Sequence, residues 1–328
     1  MVSLPTELRD ALDGALARHQ PGEMGRAVQS MIRRYREGFD PAEPVLGSEL
    51  HAAAYAAYRM PATYAAVSSA LGRVAALTEG FAPRTHVDVG GGTGTAVWAA
   101  AEAWPSLEKV TVLEQAPDAI ALGRRLMGRA SSPALRGARW QRADLGARPA
   151  KPPADLVTMS YVLGELPPGI REDVLTWLAE GCGMVVVIEP GTPEGYARTA
   201  AARDLLIGLG LSVVAPCPHD LACPLGGRGG DWCHFSARLN RTSLHRQLKT
   251  GTLNFEDEKF SYVAASRLPF APAHGRVLRH PQKRKGLVSL QVCSADRGVV
   301  DVTISKRQGE VYKAARDVSW GDEQPPVR

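Results

Sequence analysis

The sequence predicts an α/β protein organised on a doubly wound, mostly parallel sheet, and three observations carry that prediction. Between Thr85 and about Gly210, short β-branched runs alternate with alanine-rich helical stretches, the rhythm of strands joined by helical crossovers. The first run ends at Asp88 and Val89 and passes at once into Gly90, Gly91, Gly92 and Gly94, after which Thr95 to Ala103 reads as a helix. The next two runs close on carboxylates, Glu114 and Asp144. Ligands of such sheets sit at the carboxyl ends of the strands, so these residues mark a candidate site as well as a fold.

The elements follow in order. Leu4, Leu8, Leu12 and Leu16 recur at four-residue spacing, and Val28, Met31, Ile32 and Tyr35 at three and four, as on helices. Pro41 and Pro44 break the pattern, and the stretch from Leu50 to Leu77 resumes it across Pro61. Residues 1–82 are therefore expected as helices packed before or over the sheet, with Tyr55, Tyr58 and Tyr64 able to line a groove but expected in core packing. Residues 83–212 form the sheet domain, its strands at Val87–Val89, Val110–Leu113, Arg139–Gln141, Leu156–Ser160 and Met184–Ile188. The fourth strand ends in Ser160 to Leu166 and the fifth in Glu189-Pro-Gly-Thr-Pro193, so both tips point into the crevice of the glycine turn. A cysteine-rich insertion, 213–268, returns to the sheet. Residues 269–328 alternate short apolar runs with polar turns, which suggests a small antiparallel β-barrel with a loose tail after Trp320.

The glycine spacing is G-x-G-x-G, not the G-x-G-x-x-G that carries a pyrophosphate. An acid before the glycines suits S-adenosylmethionine, which has a sulfonium and an amino group but no phosphate. Glu114, about 20 residues past the glycines, is placed to hold a ribose diol, and Asp144 the adenine amino group. With Asp88, Gly90, Gly92 and Gly94, they make the sheet a class I S-adenosylmethionine methyltransferase-like one. After strand four, however, Ser-Tyr-Val-Leu-Gly-Glu replaces the Asn/Asp-Pro-Pro-aromatic run of amino-group methyltransferases. A cytosine-C5 enzyme needs a cysteine nucleophile, and Cys182 lies at the wrong end of strand five. Cofactor binding is thus better supported than methyl transfer, with Glu165 and Glu189 the available bases.

The composition, 45% hydrophobic and 22% charged over 328 residues, is that of a globular chain. No run of about 18 apolar residues predicts a membrane span, and no secretion signal is visible. Cys217, Cys223 and Cys233 are separated by five and nine residues in Gly/Pro-rich sequence, and Cys293 follows in a β-patterned run. Four thiolates suit an iron–sulfur cluster or a tetrahedral zinc, and three with His219 or His234 also suit zinc. The C-X3-C-X2-C run of radical enzymes is absent. The net charge of +5 resides wholly beyond residue 269, where eleven Lys and Arg face six Asp and Glu. Arg276, Arg279, Lys283, Arg284 and Lys285 concentrate it without an acid among them, a cluster that attracts phosphate backbones.

Several stretches carry a resemblance: Tyr58-Arg-Met-Pro61 with Thr63-Tyr64, Val87 to Gly94, Glu189 to Pro193, Cys217-Pro-His219, Cys223-Pro224, Trp232-Cys-His-Phe235, and Leu248-Lys through Glu256 to Tyr262. Across roughly residues 50–300 the chain resembles the methyltransferase-like family of small ribosomal subunit assembly proteins. The resemblance implies a [4Fe-4S] cluster on Cys217, Cys223, Cys233 and Cys293, binding to small-subunit rRNA beside ribosomal proteins, and doubtful methyl transfer. The alternative is an active rRNA methyltransferase with a structural metal centre. Glu7, Asp10 and Asp13 argue against a mitochondrial leader, so a cytoplasmic, ribosome-associated bacterial member, monomeric off the ribosome, is expected. A cluster would staple the basic module to the sheet, with Arg228, Arg238, Arg241, Arg246 and Lys249 nearby.

Overall fold

The computed structural model describes residues 2–37, 46–226, 229–241 and 253–325. Four helices open the chain: α1 Thr6–Leu16, α2 Pro21–Glu37, α3 Glu49–Tyr58 and α4 Met60–Leu77. Leu8, Leu12 and Leu16 are buried on one stripe of α1, as their spacing predicts. Pro41 and Pro44 lie outside the described residues. The Leu50–Leu77 stretch is two helices broken at Arg59, because Pro61 stands in the first turn of α4, where its missing N–H costs nothing.

The sheet comprises β1 Thr85–Val89, β2 Lys109–Glu114, β3 Arg139–Arg142, β4 Ala154–Ser160, β5 Cys182–Pro190, β6 Ser212–Ala215, β7 Phe235–Asn240 and β8 Phe255–Ser266. Its order is β3-β2-β1-β4-β5-β8-β6, with β7 paired to β8. The first five strands run parallel, and β8 runs antiparallel to β5 and β6. The crossovers α5 Thr95–Ala103, α6 Pro117–Met127, α7 Pro133–Arg136, α8 Arg171–Ala179 and α9 Pro193–Gly208 cover its faces. Residues of one strand alternate between two cores. Met184, Val186 and Ile188 of β5 join the helices of the N-terminal region, whereas Val185 and Val187 join α8 and α9.

The C-terminal residues form a second, four-stranded antiparallel sheet: β9 Gly275–Val277, β10 Gln282–Arg284, β11 Leu287–Ser294 and β12 Gly298–Ser305. It is open rather than a barrel, since β11 is paired on both sides while β12, among the described residues, pairs only with β11. The helix Glu310–Asp317 closes one face over Val277, Val288, Leu290, Val292 and Ile304. The expected loose tail is also corrected. Gln324 is 8% exposed and donates its N–H to Gly275 O at 2.8 Å. No helix among the described residues is long and apolar enough to cross a membrane.

Candidate functional site: a glycine-turn crevice and a four-thiol cavity

Gly90, Gly92 and Gly94 all have positive φ, 67°, 56° and 86°, a region costly for side-chain-bearing residues. A Cβ on Gly90 would stand 2.5 Å from Val162 Cγ2. Glu114 pins the turn from the neighbouring strand, accepting from Gly92 N–H and Ala116 N–H, both at 2.8 Å. Burial raises its carboxyl above the ordinary range, while these backbone donors pull it back. The result is a crevice lined by Tyr55, Gly90, Gly92, Glu114, Tyr161 and Glu165, among others.

Other sequence candidates stand elsewhere. Gly94 caps α5, and a Cβ there would meet Met127 and Trp140. Asp144 is exposed, and its Oδ1 accepts from Gly146 N–H at 2.9 Å. Glu189 is 1% exposed and spent on Leu163 N–H at 3.0 Å and Arg198 Nε at 2.6 Å. None of the three lines the crevice, so Glu189 is poorly placed as a base. Tyr55, expected more in core packing than in a groove, lines the crevice, as does Tyr161, held at φ 62° on the tip of β4 that was expected to point there. The Tyr161 hydroxyl donates to Glu258 Oε1 at 3.1 Å, and Arg59 Nη2 donates to the same oxygen at 2.9 Å.

Asp88 lies beneath the turn instead of lining the cavity. It faces Thr158 in the β1–β4 register, and its Oδ1 accepts from the Thr158 hydroxyl at 2.7 Å. That hydroxyl has one proton, so it accepts from His86 Nε2 at 2.8 Å, which fixes the neutral imidazole tautomer. Burial pushes Asp88 up to about 7 from 3.8 and His86 down to about 3 from 6.5. The stability Asp88 contributes is thus full below pH 3.8 and lost as pH rises through about 7. That of His86 is full above pH 6.5 and lost as pH falls through about 3. The Asp88→Asn protein should gain on wild type by up to about 4 kcal/mol between pH 4 and 7, read from urea midpoints. A difference constant across that range would refute the assignment.

A second, small cavity is lined by Cys217, Cys223, Cys233 and Cys293 together with Arg276 and Leu278. Cys293 arrives from β11, opposite Arg276 in the β9–β11 register. Ser261 Oγ of β8 donates to Cys233 O at 2.7 Å, and Trp232 Nε1 donates to Gly191 O at 2.9 Å. Polar side chains touch the sulfurs, among them Arg203 at Cys217. The Tyr196 hydroxyl lies 3.3 Å from Cys223 Sγ, and His219 Nε2 lies 3.8 Å from Cys293 Sγ. Burial pushes Cys293 up to about 12 and raises Cys217 and Cys233, with neighbouring sulfurs adding to the effect. Cys182 is buried apart from this cavity, its Sγ 3.1 Å from Ala179 O. Among the described residues no group of three or more His, Cys, Asp or Glu is set to hold a metal ion.

The expected basic surface is smaller than the charge pattern implied. Arg276 is 2% exposed, donating from Nε to Pro216 O at 2.9 Å and from Nη1 to Gly321 O at 3.1 Å. Its pairing opposite Cys293 turns it toward the thiols. Arg279 is half-buried in an ion pair with Asp231. Lys283, Arg284 and Lys285, on β10 and its turn, are exposed. Arg238 and Arg241 pair with Asp257 and Glu256, while Arg228, Arg246 and Lys249 lie outside the described residues.

The fold is a mixed α/β sheet of the methyltransferase-like kind, with a glycine-turn crevice at its strand ends and a separate pocket lined by four cysteines. The chain belongs to the family described as mitochondrial small ribosomal subunit Rsm22, whose model matches residues 49–325. It is 28% identical over 346 residues to human "Ribosome assembly protein METTL17, mitochondrial", an alignment spanning 93% of this chain and 74% of that one. It is 26% identical over 181 residues to the Schizosaccharomyces pombe "Rsm22-cox11 tandem protein 2, mitochondrial", covering 43% of this chain and 24% of that one. Among solved structures, human N-acetylserotonin methyltransferase in complex with SAM is similar at TM-score 0.42 and 16% identity, covering 76% of this chain and 66% of that one.

Proposed function

We propose that this chain is an assembly factor of the small ribosomal subunit that holds S-adenosylmethionine in the glycine crevice and a [4Fe-4S] cluster on its four clustered cysteines, and offers an exposed basic strand to rRNA. The convergence of Cys217, Cys223, Cys233 and Cys293 on one cavity carries the reading. Thiols whose ionisation burial opposes become thiolates when iron supplies the positive charge. A single zinc would need four sulfurs each about 2.3 Å from one point, whereas a cluster would spread its ligands around a larger inorganic core; metal content separates the two.

In the crevice, Gly90 and Gly92 let the backbone approach the cofactor, and Glu114 stands at the lining where a diol would be held. Asp88 acts through the turn rather than by contact, and Gly94 through the start of α5. Asp144 would reach an adenine only by leaving Gly146. S-adenosylmethionine would supply an electrophilic methyl group. Glu165 lines the same cavity, which is the observation favouring the second reading, an active rRNA methyltransferase.

Protein purified without oxygen should contain iron and sulfide in equal amounts and bind S-adenosylmethionine by calorimetry. Zinc in place of iron would overturn the cluster, and label passing from radioactive cofactor to immature small-subunit RNA would establish the second reading. Replacing Lys283, Arg284 and Lys285 by Ala should weaken binding to small-subunit RNA and lower its salt slope by about 3. An unchanged slope would remove these residues from the interface.

A further inference from the structure

Two arginines are buried against the thiol cavity with part of their hydrogen-bonding capacity unused. Arg276 is 2% exposed and lines the cavity. Its Nε and Nη1 donate to carbonyls, while Nη2 has no partner among the described residues. No described carboxylate forms an ion pair with it. Arg203 of α9, 3% exposed, lies beside the Cys217 thiol. It donates from Nη2 to His219 O at 2.9 Å, holding the cysteine loop, and its Nε lacks a partner among the described residues. Its one ion pair among the described residues is with Asp204, a side chain 67% exposed. A third donor, the Tyr196 hydroxyl, comes from the same helix to Cys223 Sγ at 3.3 Å.

A buried guanidinium without a matching anion is costly. Four neutral thiols do not offset Arg276, and Arg203 is matched only by the solvent-screened carboxylate of Asp204 among the described residues. A cluster bound through four thiolates is anionic, and its reduced form carries one more negative charge. We propose that Arg203 and Arg276, with the Tyr196 hydroxyl, are the charge-compensating residues of the centre bound by the four cysteines and raise its reduction potential. The inference rests on the cluster reading above and adds its electrostatic partners. Positive charge and hydrogen bonds at the sulfurs favour the reduced form, since potential follows net charge, hydrogen bonding and exposure.

The test uses the full chain purified without oxygen, with iron and sulfide content and a dithionite titration followed by electron paramagnetic resonance. Tyr196→Phe removes one oxygen and should keep its iron while the midpoint falls. Arg203→Gln should lower the reduced-to-oxidised ratio at a fixed potential about tenfold, equivalent to about 59 mV for one electron. Arg203→Lys, which keeps the charge, should return it toward wild type. Loss of iron in Arg203→Gln that Arg203→Lys restores would support the same role. If Arg203→Gln does not fold, Tyr196→Phe decides alone, and a midpoint equal to wild type overturns the proposal. Wild-type protein holding iron beside unshifted variants sinks this inference and leaves the cluster reading intact. Wild-type protein without iron sinks both.

Discussion

On the proposed cluster reading, Cys293→Ser protein is expected to lose the metal and, with it, part of the attachment of the C-terminal sheet to the main one. Cys217, Cys223 and Cys233 all precede β7, whereas Cys293 is the only one of the four cavity cysteines in the second sheet. A centre bound by all four therefore cross-links two hydrophobic cores that are separate clusters. Ligand binding of this kind is folding free energy, and a missing ligand should weaken metal affinity by well over the 10–100-fold typical of an outer-shell change. Limited proteolysis should then cut between β8 and β9 while urea unfolding of the main sheet stays near wild type. A variant that keeps its iron and its protease resistance would disprove the staple. The other ties include polar ones, Arg276 to Pro216 O, Arg279 to Asp231 and Arg73 Nη2 to Trp320 O at 3.0 Å, and apolar ones, Leu278 and Val299 against Leu225 and Tyr196 and the Trp320 ring against His234. They orient the sheet without replacing the cross-link.

Arg59→Met should cost about 3–5 kcal/mol in denaturant unfolding, because it strands the Glu258 carboxylate in a buried site. The Arg59 and Glu258 side chains are 24% and 12% exposed and meet at 2.9 Å. The guanidinium also lies over the Tyr161 ring, 5.6 Å from its centroid. Since Tyr161 lines the crevice, the same variant should weaken S-adenosylmethionine binding. The double variant Arg59→Met, Glu258→Leu should recover most of the stability, as replacement of a whole buried pair often does. A loss below about 1 kcal/mol in the single variant, or strict additivity in the double, would show the pair to be incidental.

The sheet was legible because its strands are short apolar runs bounded by glycine, proline and acids, and each expected strand lies within an observed one. The antiparallel β8 was harder to read. It is separated from its neighbour β5 by more than sixty residues, and its first half reads Phe-Glu-Asp-Glu-Lys, where charge masks the period. Its charges belong to pairs with β7 and to Arg59, a relation between distant positions that local pattern does not encode. The four cysteines were legible as a group through their number and their Gly/Pro setting. Arg276 and Arg279 were misread as surface because a basic run looks alike whether it faces solvent or a cavity. Only the register opposite Cys293 separates Arg276 from the exposed Lys283, Arg284 and Lys285.

The position of β8 between β5 and β6 has a consequence for synthesis on the ribosome. The chain emerges from its N-terminus, so β5 and β6 are complete long before residues 255–266 appear. Until then β5 presents an open edge of Met184, Val185, Val186, Val187 and Ile188, the kind of strand that recruits neighbouring chains. Nascent protein halted near residue 250 should therefore be the aggregation-prone species, and a chaperone that shields apolar edges should act in that interval rather than on the finished molecule.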